Sequence, residues 1–167
     1  MIRFLPIVVL SLVIGFSQKI EDEKLIEKNG LKYHPETNEL FSGKSFRLHL
    51  NGHNYIVGTY KNGRWDGLWT WWYKNGNKEK SLTFKEGEIE GLHIEWYKNG
   101  QKSLEETINH DKRDGSYTIW YENGNKKEEG TWKDGKRIGA MIQSHQNGQK
   151  KSEWIFKDGK LDGLTTL

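Results

Sequence analysis

Cysteine is absent from the 167 residues. That excludes a disulfide scaffold, a thiolate metal site and a cysteine nucleophile. Alanine occurs once, as Ala140. Ala is the best helix former, so its scarcity argues against a helical protein. Aliphatic side chains are few: residues 18–167 hold 23 Leu, Ile or Val, thin for a two-layered core. No charge sign dominates, with 26 Lys and Arg against 23 Asp and Glu. Lys and Glu are interspersed, without the basic stripe of a nucleic-acid binder, so no nucleic-acid partner is expected. What the chain does have is 19 Gly, 8 Trp, 7 Tyr and 6 Phe. Disordered chains are poor in aromatics. The composition describes a Gly-punctuated β protein and not an enzyme core.

Long apolar runs are confined to the start. Residues 1–17 read Met-Ile-Arg, then an apolar stretch from Phe4 to Phe16, then Ser17. A basic start, a short apolar run and small residues near its end are signal-peptide features. Gly15 and Ser17 suit a cut between Ser17 and Gln18. The stretch is shorter than the roughly 20 residues a membrane span needs. This reading expects a secreted, periplasmic or envelope protein, without membrane contact once the signal is removed.

The body repeats with a period of 24. Gly52, Gly76, Gly100, Gly124 and Gly148 stand 24 apart, each preceded by Asn. A second column is Gly63, Gly87, Gly135 and Gly159, with Asp111 in its vacant place. A third is Gly43, Gly67, Gly91, Gly115, Gly139 and Gly163. These columns hold 15 of the 18 glycines after the leader. Each unit reads as two strands. The first is typified by Leu68-Trp-Thr-Trp-Trp-Tyr73 and turns at Asn75-Gly76. Asn-Gly predicts a type I′ hairpin turn. The second strand, about Lys78 to Lys85, ends in a Gly-x-x-x-Gly loop such as Gly87 to Gly91.

The expected fold is therefore all-β: an elongated, single-sheet antiparallel meander of ten or eleven strands, built from 24-residue hairpins. Residues 18–38 form a polar lead-in and residues 39–167 the array. Alternation along a strand puts Trp72, Trp96 and Trp120 on one face and Tyr73, Tyr97 and Tyr121 on the other. The Trp face is expected to add Thr70, Ile94, Thr118 and Ile142, with Tyr60, Phe84, Ile108, Trp132 and Phe156 from the second strands.

Gly58-Thr59-Tyr60-Lys61-Asn62-Gly63-Arg64-Trp65-Asp66-Gly67 and the stretch Gly130 to Gly139 resemble MORN repeats. Trp72 to Lys78 and Trp96 to Lys102 resemble the MORN variant of bacterial proteins, many grouped as the YwqK family of antitoxins. The resemblance implies a repeat scaffold, with an antitoxin or immunity role as one form.

No catalytic constellation stands out: there is no Gly-x-Ser-x-Gly elbow and no His-Glu-x-x-His helix. No enzyme activity, cofactor or metal is expected. His49 and His145 fall in the Tyr column and His93 in that of Trp69 and Tyr117, as aromatic substitutes. Glu105, Glu106, Glu128 and Glu129 are expected on a solvated face. Exposed aromatic patches mark interaction sites. The candidate binding face is Tyr73, Tyr97 and Tyr121 with Trp69 and Tyr117. A protein is the expected partner; a cell-wall glycan-binding or a membrane-surface-binding role is the alternative.

Overall fold

Glycines at a fixed interval cut the chain into strands of nearly equal length. The computed structural model describes residues 19–166, so the leader and its cut before Gln18 lie outside the described residues. Three short strands open the chain: β1 (Lys19–Glu21), β2 (Ile26–Lys28) and β3 (Leu31–Tyr33). Eleven more form the array: β4 (Gly43–Leu48), β5 (Asn54–Lys61), β6 (Arg64–Trp72), β7 (Lys78–Lys85), β8 (Glu88–Trp96), β9 (Lys102–Asn109), β10 (Lys112–Trp120), β11 (Lys126–Lys133), β12 (Lys136–Ser144), β13 (Lys150–Lys157) and β14 (Lys160–Thr166). Strands β4 to β14 pair in sequence order as an antiparallel meander, and β1 joins β4 in parallel at one edge. The all-β, open single-sheet expectation holds. At roughly 4.8 Å per strand, twelve strands span about 53 Å.

The two kinds of turn are the reverse of the sequence expectation. Two-residue type I′ turns fall at Asn62-Gly63, Glu86-Gly87, His110-Asp111, Asp134-Gly135 and Asp158-Gly159, where both residues have positive φ. Asp111 adopts φ 58° in the place of glycine. The Asn-Gly turns are different. Gly76 N–H donates to the Tyr73 carbonyl, and among the central residues neither Lys74 nor Asn75 has positive φ. This is a type I turn closed by a glycine bulge, a common three-residue hairpin loop. Asn75 is selected by its side chain: Oδ1 accepts the Asn77 N–H at 3.1 Å, and Nδ2 donates to the Lys98 carbonyl at 2.8 Å.

Cross-strand partners share a face, so the pairing defines what each face carries. Face A holds a row across the sheet: Ser45, Gly58, Trp69, Leu82, His93, Glu106, Tyr117, Gly130, Met141 and Trp154. A flanking row includes Tyr60 beside Trp65, Phe84 beside Ile89, Ile108 beside Arg113 and Trp132 beside Arg137. Face B carries Thr70 with Ser81, Thr118 with Glu105, and Trp72 with Lys78. The second-strand column of Tyr60, Phe84, Ile108, Trp132 and Phe156 thus lies opposite the Trp72 column, not with it. The position of the turn accounts for the error. The chain reverses at Asn62-Gly63, so Tyr60 pairs with Trp65 and alternation along β6 carries Trp69 and Trp71 onto the same side as Tyr60 and Trp72 onto the other. Gly67, Leu68 and Trp69 together oppose Gly58, a bulge of two extra residues that leaves the alternation unchanged.

The core sits on face A at the N-terminal end. Leu25 of the lead-in and Phe41, just before β4, join Ile56, Tyr60, Trp69, Trp71 and Phe84 in one buried cluster. Trp65 stacks on Trp69 at 4.4 Å and meets Phe84 edge-on at 4.8 Å. Gly58 lies beneath the Trp69 ring: a Cβ there would come within 1.9 Å of it. Gly130 lies beneath Tyr117 in the same way, at 2.9 Å.

Candidate binding surface

One edge of the sheet is built from side chains that reach into the next unit. The Tyr73, Tyr97 and Tyr121 hydroxyls donate to the carbonyls of Trp96, Trp120 and Ser144, each 23 residues on. His49 uses Nε2 on the Trp72 carbonyl at 2.8 Å. A carbonyl only accepts, so that nitrogen carries the proton. The expected aromatic substitution is therefore functional as well as steric for His49. Asn51, Asn75, Asn99 and Asn123 donate to carbonyls 23 residues on as well. The tyrosine column is half-buried, and its hydroxyls are engaged within the sheet.

Trp69 and Tyr117, grouped with these tyrosines from sequence, are core side chains. They are 1% and 4% exposed and offer no surface to a partner. Trp69 Nε1 donates to the Thr59 carbonyl, and the Tyr117 hydroxyl to Glu128. The predicted turn glycines Gly52, Gly76, Gly100, Gly124 and Gly148 have positive φ, as do Gly67, Gly91, Gly115 and Gly139 in the bulges.

Sequence reasoning missed the carboxylates of face A, each of which gathers donors. Asp22 of the lead-in is buried and accepts from Ser45 Oγ at 3.2 Å, Arg47 Nη2 at 2.8 Å and the Tyr60 hydroxyl at 2.8 Å. Burial would raise the Asp22 carboxyl, but the hydrogen bonds from Arg47 and Tyr60 outweigh it and hold it below its usual value. Trp65 Nε1 in turn donates to the Tyr60 oxygen at 2.9 Å. Burial and the Asp22 hydrogen bond push the Tyr60 hydroxyl far up.

In the middle of the sheet, Glu106 is 3% exposed. Its Oε1 faces His93 Nδ1 at 3.0 Å, and its Oε2 faces Arg113 Nε at 2.7 Å. The other ring nitrogen of His93 meets Glu95 at 3.1 Å. Carboxylate oxygens on both nitrogens require two N–H groups, so His93 is an imidazolium. Burial alone would lower its pKa; the hydrogen bonds to Glu106 and Glu95 reverse that and raise it to about 9. Further along, Glu128 accepts from the Tyr117 hydroxyl at 2.6 Å, Arg137 Nη2 at 3.0 Å and Gln143 Nε2 at 3.0 Å. Glu106 and Glu128 are thus not on a solvated face. Glu105 and Glu129 do lie on the outer side, paired with Lys102 and Lys126. The signal for the buried pair was available. Neighbouring columns run Trp, His, Tyr, Met and Gly, Leu, Glu, Gly, and they turn polar on adjacent strands at His93 and Glu106.

Toward the C-terminal end, face A changes character. The positions of Trp65 and Ile89 are taken by Arg113 and Arg137. Both guanidiniums lie over Trp132, at 5.2 and 5.1 Å, and Arg137 also lies over Phe156 at 5.7 Å. Leu161 beside them is 56% exposed. The buried cluster containing Leu25 and Phe41 ends at Phe84 and Ile89, well short of this region. On face B, Lys78 and Lys102 sit over Trp96 and Trp120. Among the described residues no group of three His, Asp or Glu is placed to hold a metal ion.

This architecture is that of an open β-hairpin repeat protein. Residues 65–86 and 113–134 match the MORN repeat variant family, so two of its units are MORN-variant repeats. Such repeats are non-catalytic and commonly bind proteins or membranes. The matched stretches are two periods apart, and the unit between them contains His93 and Glu106. A comparison with curated proteins found no match.

Proposed function

We propose that the chain is a non-enzymatic scaffold for protein–protein interaction in the bacterial cell envelope. One observation carries this reading. Face A is covered by the lead-in over the first units, and from β9 to β14 it carries aromatic rings and guanidiniums outside that covered cluster. Trp, Tyr and Arg are the side chains most enriched in interface hot spots. The leader read in residues 1–17 supports an extracytoplasmic location. An immunity role against a toxin, implied by the family resemblance, is the narrower form of the same reading.

A cell-wall glycan is the less favoured ligand. Sugars stack on open aromatic faces, and Lys78 and Lys102 occupy those of Trp96 and Trp120. Immobilised full-length chain should retain a protein from an envelope extract of the source cell and should not sediment with peptidoglycan. Retention of no protein would overturn the scaffold reading, and sedimentation with peptidoglycan would replace it with the glycan one.

A further inference from the structure

Four buried side-chain polar atoms have no hydrogen-bond partner among the described residues: Trp132 Nε1, Arg137 Nε, Ser152 Oγ and Trp154 Nε1. They are not scattered. All belong to β11, β12 and β13, and all lie on face A by the strand pairing. Each can donate. Buried donors without acceptors are costly and rare in folded proteins, so four in one patch call for an acceptor.

The other end of face A shows what such an acceptor looks like. There the donors are of the same kinds: Ser45 Oγ, Arg47 Nε, the Tyr60 hydroxyl and, through it, Trp65 Nε1. Asp22, which opens a single 3-10 turn (Asp22–Lys24) after β1 and outside the hairpin array, satisfies the first three directly. Three residues later Leu25 enters the apolar cluster. Ser45 and Trp154 stand in the same cross-sheet row, as do Arg47 and Ser152. The middle of the sheet supplies its own carboxylates in Glu106 and Glu128. No side chain on face A of β12 or β13 is acidic: Glu153 pairs with Ile142 on the other face, and in β14 Asp162 lies exposed in a bulge without a cross-strand partner.

We propose that this C-terminal patch is a docking site for a short acidic segment of a partner protein. A carboxylate takes the place that Asp22 holds at the other end, and an apolar side chain about three residues later packs near Leu161. The proposal rests on the scaffold reading and names the surface and the partner's chemistry. Arg137 is the gate. It is partly exposed, lies over Tyr117, Trp132 and Phe156, and is tied to Glu128 through one nitrogen. Turning it toward an incoming carboxylate frees Nε to donate and uncovers the Trp132 edge.

The test uses the full chain and a synthetic peptide of residues 19–28, which carries Asp22 and Leu25. Indole N–H resonances of Trp132 and Trp154, assigned through Trp→Phe variants, should move on titration while that of Trp69 stays. Arg137→Gln, and separately the peptide with Asp22→Asn, should each weaken binding at least tenfold. Arg47→Gln should leave it unchanged, and circular dichroism checks that each variant is folded. Unmoved Trp132 and Trp154 signals would overturn the proposal. So would a loss that follows Arg47→Gln, since the peptide would then be displacing the resident lead-in. Concentration-dependent self-association abolished by Asp22→Asn in the chain would make a second copy the occupant and overturn the assignment to a separate partner. A captured partner that binds the Arg137→Gln variant normally would refute this surface and leave the scaffold reading standing.

Discussion

His93 gives the sharpest quantitative expectation. Its pKa rises from 6.5 in the unfolded chain to about 9 in the fold, because Glu106 and Glu95 hold both ring nitrogens despite burial. A folded-state pKa above the unfolded one stabilises the protein fully below pH 6.5, and the gain disappears as pH rises through about 9. At 1.36 kcal/mol per decade, the difference is worth about 3 kcal/mol. That is a large share of the roughly 5–15 kcal/mol that holds a domain together. The assay is urea unfolding followed by tryptophan fluorescence at intervals from pH 6 to 9.5, for the native chain and for His93→Gln. The native chain should lose about 3 kcal/mol across that range, and the variant should start lower and stay nearly flat. The acid side has the opposite sign. Asp22 and Glu95 are held below their ordinary values, so their contribution is present above the carboxylate range and lost as pH falls through it. Parallel curves for the two proteins between pH 6 and 9.5 would refute the imidazolium assignment.

Other expectations follow from packing and turns. Gly58→Ala places a methyl within 1.9 Å of the buried Trp69 ring and should cost about 3 kcal/mol or more; Trp69→Leu in the same chain should recover part of the loss in chemical denaturation. Glu86 holds φ 52° at the first position of a type I′ turn, where Asn is the favoured residue. Glu86→Asn should stabilise by up to about 1 kcal/mol, seen as a rise of roughly 3 °C in Tm. Tyr97→Phe removes the hydroxyl that donates to the Trp120 carbonyl at 2.6 Å; a loss of about 1 kcal/mol is expected in urea unfolding, with the far-UV spectrum unchanged.

The period, the strand boundaries and the meander could be read from the glycine columns, because glycine marks backbone positions that few other residues tolerate. Turn chemistry was legible only by halves. Asn75-Gly76 has the letters of a type I′ turn, yet Asn75 earns its place through side-chain bonds to Asn77 and Lys98. Face assignment failed for a different reason. Reading Gly63 to Gly67 as a loop hid the fact that β6 starts at Arg64, and only the Tyr60–Trp65 pair shows which face each later residue takes. The lead-in was legible as a segment but its packing was not, since nothing local in Asp22 or Leu25 reveals that they fold back onto the sheet. His93 and Glu106 were visible as departures from their columns, but only strand pairing shows that they meet.

The ties along the turn edge reach 23 residues forward, into the next unit and no further. A ribbon stitched this way has no fixed length. Removal of one whole period, such as residues 90–113, would rejoin Ile89 to Asp114 and hand every severed tie an equivalent acceptor one unit on. His93, Glu95, Glu106 and Arg113 all fall inside that stretch. The internal charge set therefore behaves as a cassette that duplication or deletion can add or discard as one piece, with the strands on either side left to close the gap.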